Sequence, residues 1–254
     1  KVPGMSQIQL HADAALNAFE DAGISAKDID GLATAGSRPT DLAHYLGITP
    51  TWVDGTAVGG CSFMLHVRHA VAALVTGQCT TVLITHGESG RSGIGRDGFG
   101  RAPASLQGQF EAPFGPMGPP TLFTLPVLRY MKNYGMSHEQ LAMVAVVQRE
   151  WASKNPRASF QDLITVDDVL ESKLIAYPFH LLECCLVTDG GGALILTLNN
   201  RAKDFPQKPV FILGCGESVE TPMISQMEDL TSSRAFRVAG PAAMQEAGVK
   251  QSDV

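Results

Sequence analysis

The residues best placed for chemistry are Gly59-Gly60-Cys61-Ser62 and the histidines that follow, His66, His69 and His86. Two glycines end an extended run, Trp52–Val58, and Ser62 reads as the N-cap of a helix over Phe63 to Val75 with Gly77 at C′. The first turn of a helix has unpaired N–H groups and a partial positive charge, which favours a thiolate or an oxyanion beside it. Cys61 is therefore a candidate nucleophile, although residue type alone favours a buried small hydrophobe. His66 and His69 share a helix face at i,i+3 spacing. With no carboxylate or third ligand in the pattern, they read as packing or pocket lining rather than metal ligands. His86 ends the strand after the helix, a position that can face a ligand in α/β folds.

Other motifs point to less. Cys184-Cys185 beside Asp189-Gly190 reads as a structural turn with a buried pair. Gly214-Cys215-Gly216 mimics a dinucleotide turn, but Val219 stands where the third glycine belongs. Gly87-Glu88-Ser89-Gly90 is no nucleophile elbow, because Arg91 replaces the last glycine. Arg91, Arg96 and Arg101 could meet a phosphate, with solvated loop charge the simpler reading.

The elements that must position these groups are legible. An amphipathic helix covers Ser6 to Asp21, with Ile8, Ala12, Ala15, Leu16 and Phe19 on one face, and ends at Gly23. Gly31–Ala35 reads as strand and Thr40–Leu46 as helix. The helix at Phe63–Val75 is apolar nearly all round, which suits a core helix, and Thr80–Thr85 is a β-branched run suited to a buried strand. Residues 87 to 118 hold nine glycines and read as a substrate-covering or subunit-contacting loop. Helices follow over Leu122–Tyr134, from a Ser137/Gln140 capping box to about Ser153, and from Thr165, with strands at Ala193–Leu198 and Val210–Gly214.

Composition bounds the function. The chain has 254 residues, 44% hydrophobic and 17% charged, with a net charge of −6. That is a globular composition, and without Lys/Arg clusters a nucleic-acid partner has little support. Five cysteines form neither a CxxC pair nor a secretory framework, so a reduced, cytoplasmic protein is expected. No apolar run reaches membrane-spanning length, and the first residue is Lys, so an incomplete N-terminus is expected. Ala18-Phe19-Glu20-Asp21-Ala22-Gly23-Ile24 with Lys27-Asp28-Ile29 stands against Ala243-Met244-Gln245-Glu246-Ala247-Gly248-Val249 with Ser252-Asp253-Val254, at a constant offset of 225. Such self-similarity marks a duplicated unit whose second copy has barely begun. The expected division is 1–205, with a loop excursion at 87–135, and 206–254.

These pieces resemble the thiolase superfamily, in its sterol-carrier-protein-X-type and thiolase-like lipid-transfer branch, which includes steroid side-chain aldolases. The similar residues are Ala22-Gly23-Ile24, Asp28-Ile29-Asp30-Gly31, Val58-Gly59-Gly60-Cys61-Ser62-Phe63 with His66 and His69-Ala70, Tyr134-Gly135, Glu139-Gln140-Leu141-Ala142, Asn155-Pro156, Ile164 to Leu170, and Cys184 to Ala193. The resemblance implies an α/β fold with a mixed sheet between helix layers, duplicated, in a homodimer. It implies chemistry on acyl-CoA thioesters, with coenzyme A as part of the substrate and no separate cofactor or metal. Counting back from Gly77, the family's acyl-accepting cysteine falls at Gly60, one residue before Cys61. Branches with a Gly-Gly-small-Ser-Phe turn lack that cysteine, and some cleave steroid side-chain thioesters as retro-aldolases beside a small OB-fold/zinc-ribbon protein. The expected activity is therefore retro-aldol or retro-Claisen cleavage. The alternatives are an acetyl-CoA acetyltransferase using Cys61 and a non-catalytic acyl-CoA or lipid carrier. The expected site is Cys61 as the catalytic candidate, with Gly60, Ser62, His66 and His86 at the substrate.

Overall fold

The structure is a computed structural model and describes residues 2–95, 103–116 and 118–254. These divide into two compact units. The first takes residues up to 99, 187–217 and 242–254, and the second takes 100–186 and 218–241. This spatial division is distinct from the repeat-based division at 205/206, which stays an inference from the duplication.

The first unit is built from α1 (Gln7–Ala22), β1 (Gly31–Ala35), α2 (Pro39–Leu46), β2 (Trp52–Asp54), α3 (Ser62–Val75) and β3 (Thr81–Ser89). A four-stranded sheet runs β2-β1-β3 and then a long later strand, Asp189–Thr197. The first three strands are parallel and the last is antiparallel to β3. Alternation along the strands sorts the core into two layers. Leu32 and Leu83, paired across β1 and β3, point to Ala15 and Phe19 of α1 and to Leu42 and Ala43 of α2. Ala33, Val82 and Ile84 point the other way, to Ala70, Ala73 and Leu74 of α3. The sheet thus lies between helix layers, as the resemblance implied. Helix α1 comes so close to the sheet that a Cβ on Gly87 would stand 2.7 Å from the His11 amide nitrogen.

The second unit holds α4 (Leu106–Phe110), α5 (Pro119–Leu122), α6 (Thr124–Tyr134), α7 (His138–Ser153), α8 (Val166–Glu171) and a two-stranded sheet of β4 (Leu174–Ala176) and β5 (Phe179–His180). Ser137 Oγ accepts from the Gln140 amide while Gln140 accepts from Ser137 N–H, the capping box read from the sequence. With β6 (Asp189–Thr197) the chain returns to the first unit, and α9 (Arg234–Ala247) follows near its end. No helix among the described residues is long and apolar enough to cross a membrane.

The internal repeat has a structural counterpart. Helix α1 ends at Gly23 with φ 67°, and Ile24 N–H returns to the Phe19 carbonyl; α9 ends at Gly248 with φ 69°, and Val249 N–H returns to the Met244 carbonyl. A short 3₁₀ turn follows each, with Asp28 capping Ser25 N–H and Asp253 capping Lys250 N–H.

Four expectations are corrected. Val210–Gly214 forms no strand among the described residues; Val210 is 95% exposed, and apolar content alone does not supply a ladder partner. Leu16 is exposed, because the buried face of α1 runs through Gln7, Leu10, His11, Ala12, Ala15 and Phe19. The helix expected over Leu122–Tyr134 is broken at Phe123 into α5 and α6. Cys185 is exposed and Cys184 half-buried, so they are no buried pair.

Candidate active site at the start of helix α3

The chain between β2 and α3 is a turn tied down at both ends. Asp54, at the end of β2, accepts on Oδ1 from the Thr56 amide (2.8 Å) and hydroxyl (2.7 Å). Burial pulls the Asp54 carboxyl upward, but these bonds and His69 outweigh it and hold it below the usual carboxylate range. Thr56 in turn offers its carbonyl to His66 Nε2 at 2.9 Å. A carbonyl only accepts, so Nε2 carries the proton. Burial keeps His66 neutral by lowering its pKa. Next, Val58 N–H donates to Ser62 Oγ (2.9 Å), which donates to the Gly59 carbonyl (2.6 Å). Gly59 takes φ 91°, a left-handed conformation that a side chain would strain.

Ser62 is therefore not the N-cap that its type suggests. Cys61 is the N-cap residue, it makes no side-chain cap bond, and Ser62 is the first helical residue with its hydroxyl turned back onto the turn. No acidic residue stands in the first turn. The amide end of α3 is left without a side-chain cap; Ser62 and Met64 N–H bond the Gly59 and Cys61 carbonyls, which leaves the Cys61 and Phe63 amides without an acceptor among the described residues, as donors for an oxyanion.

The five predicted residues fall into three places. Gly60 and Cys61 are exposed at the helix tip. The reading of Cys61 as a buried hydrophobe fails. Gly60 does not have a positive φ, and a Cβ there would meet nothing within 4 Å. Glycine at 60 is not sterically required, and the seat has room for a side chain. Ser62 and His66 are buried, with their bonded polar atoms spent on the turn. His86 lies inside β3, half-buried, its ring 6.0 Å from Phe63 of α3 and 6.2 Å from His11. Arg96 and Arg101 lie outside the described residues, and Arg91 donates its amide to Asp189.

Sequence reasoning missed the partners of these groups. His69 Nδ1 stands 2.6 Å from Asp54 Oδ2 and its Nε2 3.2 Å from Glu217 Oε2, tying α3 to β2 and to a segment almost 150 residues away. His11 on α1 sits behind His86 and bonds Thr85 Oγ1 at 3.0 Å. A polar residue at a helical core position was the only available signal for it. Among the described residues no group of three or more His, Cys, Asp or Glu is arranged to hold a metal ion. Cys79, buried beside Asp30, has its thiol pushed up to about 11 by burial first and that carboxylate second, so it is inert.

No family model matches the chain. Individual proteins do. The steroid side-chain-cleaving aldolase of Thermomonospora curvata is 32% identical over the whole chain and 69% of its own length. The 17-hydroxy-3-oxo-4-pregnene-20-carboxyl-CoA lyase of Mycobacterium tuberculosis is 30% identical over the whole chain and 70% of its own length. An acetyl-CoA acetyltransferase of Methanocaldococcus jannaschii is 31% identical over 96% of the chain and 65% of its own length. Among solved structures, the Ltp2-ChsH2(DUF35) aldolase superposes with a TM-score of 0.88 at 31% identity, over 99% of this chain and 67% of that one. The chain belongs to the thiolase superfamily, in the sterol-carrier-protein-2-like branch that includes the steroid side-chain aldolases.

Proposed function

We propose that this chain supplies the thioester-binding helix end of an enzyme that cleaves a carbon–carbon bond of an acyl-CoA by a retro-aldol step, with a steroid side chain or a similar lipid as substrate. A base removes the proton of a β-hydroxyl, and the O–H pair becomes a carbonyl bond. The bond between the α and β carbons breaks, and its pair forms the enolate of the shorter thioester. A proton then returns to the α carbon. The enolate oxygen is the charge to be stabilised, and the Cys61 and Phe63 amides at the tip of α3, which have no acceptor among the described residues, suit it. Asp54, Ser62 and His66 act through the turn they hold, and His86 lines the site next to Phe63.

The observation that carries this reading is glycine at position 60. The family's acyl-accepting side chain belongs there, the space is open, and the residue present has nothing to acylate. The aldolase and the CoA lyase among the relatives support the same choice. The solved neighbour's pairing with a second protein supports a partner subunit for this one, and a homodimer in the cytoplasm is part of the same proposal. The test is Cys61→Ala in the full-length protein, assayed with a β-hydroxyacyl-CoA for the carbonyl product and the shorter thioester. Turnover within about threefold of the parent is expected, and a loss beyond about a hundredfold would overturn the reading.

A second reading rests on one observation, the exposed Cys61 thiol at the N-cap of α3. If that thiol takes the acyl group as an acetyltransferase does, mass spectrometry under turnover finds an acyl adduct on Cys61.

A further inference from the structure

The second unit contains a cavity of about 550 Å³ between the 110–125 stretch and residues 223–226. Its walls are mainly apolar, with Phe110, Phe114, Leu122, Leu125 and Ile224 among them. Phe114 is 85% exposed and Phe110 59%, so aromatic surface stands open to solvent around it. One acidic side chain lines this space. Glu111 is only 4% exposed, and its Oε1 accepts the Ser225 amide at 2.9 Å. Its other oxygen, Oε2, is buried and has no hydrogen-bond partner among the described residues.

A buried carboxyl oxygen without a donor is costly, and sites of this kind are filled by a group that donates to it. Apolar walls select an apolar body, and the volume lies in the range of small-molecule sites. We propose that this cavity binds a small apolar molecule through a single hydroxyl that donates to Glu111 Oε2. The terminal torsion of a glutamate is soft, so the carboxyl turns toward an incoming hydroxyl while its first oxygen keeps the Ser225 amide. The proposal does not rest on the lyase reading.

The test uses three fluorescent probes on the full-length protein: 2-(2-naphthyl)ethanol, 2-ethylnaphthalene and 2-acetonaphthone. The alcohol is expected to bind about tenfold more tightly than the hydrocarbon. Glu111→Gln keeps an oxygen for Ser225 and offers N–H to the cavity, so it is expected to shift the preference to the ketone. Leu125→Trp fills the space and is expected to remove binding of all three, and it decides the matter if the Gln variant fails to fold. Competition between the alcohol and the thioester substrate identifies the substrate's own apolar body as the occupant; binding without competition identifies a separate apolar alcohol. Absence of saturable binding, equal affinity for alcohol and hydrocarbon, or binding that survives Leu125→Trp would each overturn the proposal.

Discussion

His11 has no accessible surface, and its hydrogen bonds fix its tautomer. Thr34 Oγ1 donates to the Thr85 carbonyl, and Thr85 Oγ1 donates to Thr34 Oγ1, so the proton between His11 Nδ1 and Thr85 Oγ1 belongs to the ring. Nε2 is then the bare nitrogen, buried and without a hydrogen-bond partner among the described residues. Burial first and the neighbouring His86 second lower the pKa to about 4, with the Gly87 carbonyl opposing weakly. The folded pKa lies below the ordinary 6.5, so the unfolded chain binds the proton more readily. Stability is fully present above pH 6.5 and is lost as pH falls toward 4, by about 3 kcal/mol. His11→Asn, whose amide can replace the Nδ1 donor, is expected to flatten this part of the profile in urea unfolding at pH 7 and pH 5. An unchanged slope would place the acid sensitivity elsewhere.

Adjacent glycines at the turn make a second contrast at the same scale. Gly59→Ala forces a methyl onto a φ of 91° and is expected to cost about 1–2 kcal/mol. Gly60→Ala meets open space at an ordinary φ and is expected to stay within about 0.5 kcal/mol. Urea midpoints of the two variants check this, and equal losses would mean that both glycines are required by the backbone.

At the scale of elements, what was legible in the sequence was what local chemistry decides. The glycine stops of α1 and α6, the Ser137 capping box, strand β1 and the start of β3 sit where residue type and periodicity placed them, while β3 runs on past His86 to Ser89 and the extended run Trp52–Val58 keeps strand pairing only over Trp52–Asp54. The tip of α3 was half legible. Two glycines and a serine marked a turn entering a helix, but Ser62 looks identical from sequence whether its hydroxyl caps the helix or folds back on the turn. The choice was made by Val58 and Gly59, which offered it a donor and an acceptor. Nor could spacing reveal that His66 spends itself on Thr56, or that Asp54 and Glu217 bracket His69, since those partners meet only in three dimensions. The turn as a unit is testable through Ser62→Ala. This substitution leaves Val58 N–H and the Gly59 carbonyl without their partner and is expected to cost about 1–2 kcal/mol. The proposed turnover should fall further for Ser62→Ala than for Cys61→Ala, because the serine sets the direction of the amides while the thiol does not. The reverse order would favour the acyl-transfer reading.

For the whole molecule, the distribution of apolar surface separates what this chain completes by itself from what it leaves open. The central strands of the sheet are closed on both faces: Leu32, Leu83, Val82 and Ile84 are within 1% of full burial. Helix α3, apolar nearly all round, buries His66, Ala70, Ala73 and Leu74 toward the sheet but leaves Met64 60% and Val75 70% exposed. The run Val210-Phe211-Ile212-Leu213 has the composition of a core strand, yet each of its side chains is between 46% and 95% exposed and it pairs with no strand among the described residues. A backbone without ladder bonds exchanges its amide hydrogens on local opening alone, whereas β3, paired on both sides to β1 and β6, exchanges only with larger openings. Hydrogen exchange of this 254-residue chain followed by mass spectrometry is therefore expected to label 210–213 at least a hundredfold faster than 82–85. Equal protection of the two segments would mean that the run is paired in solution, and that the first unit's sheet extends beyond the four strands seen here.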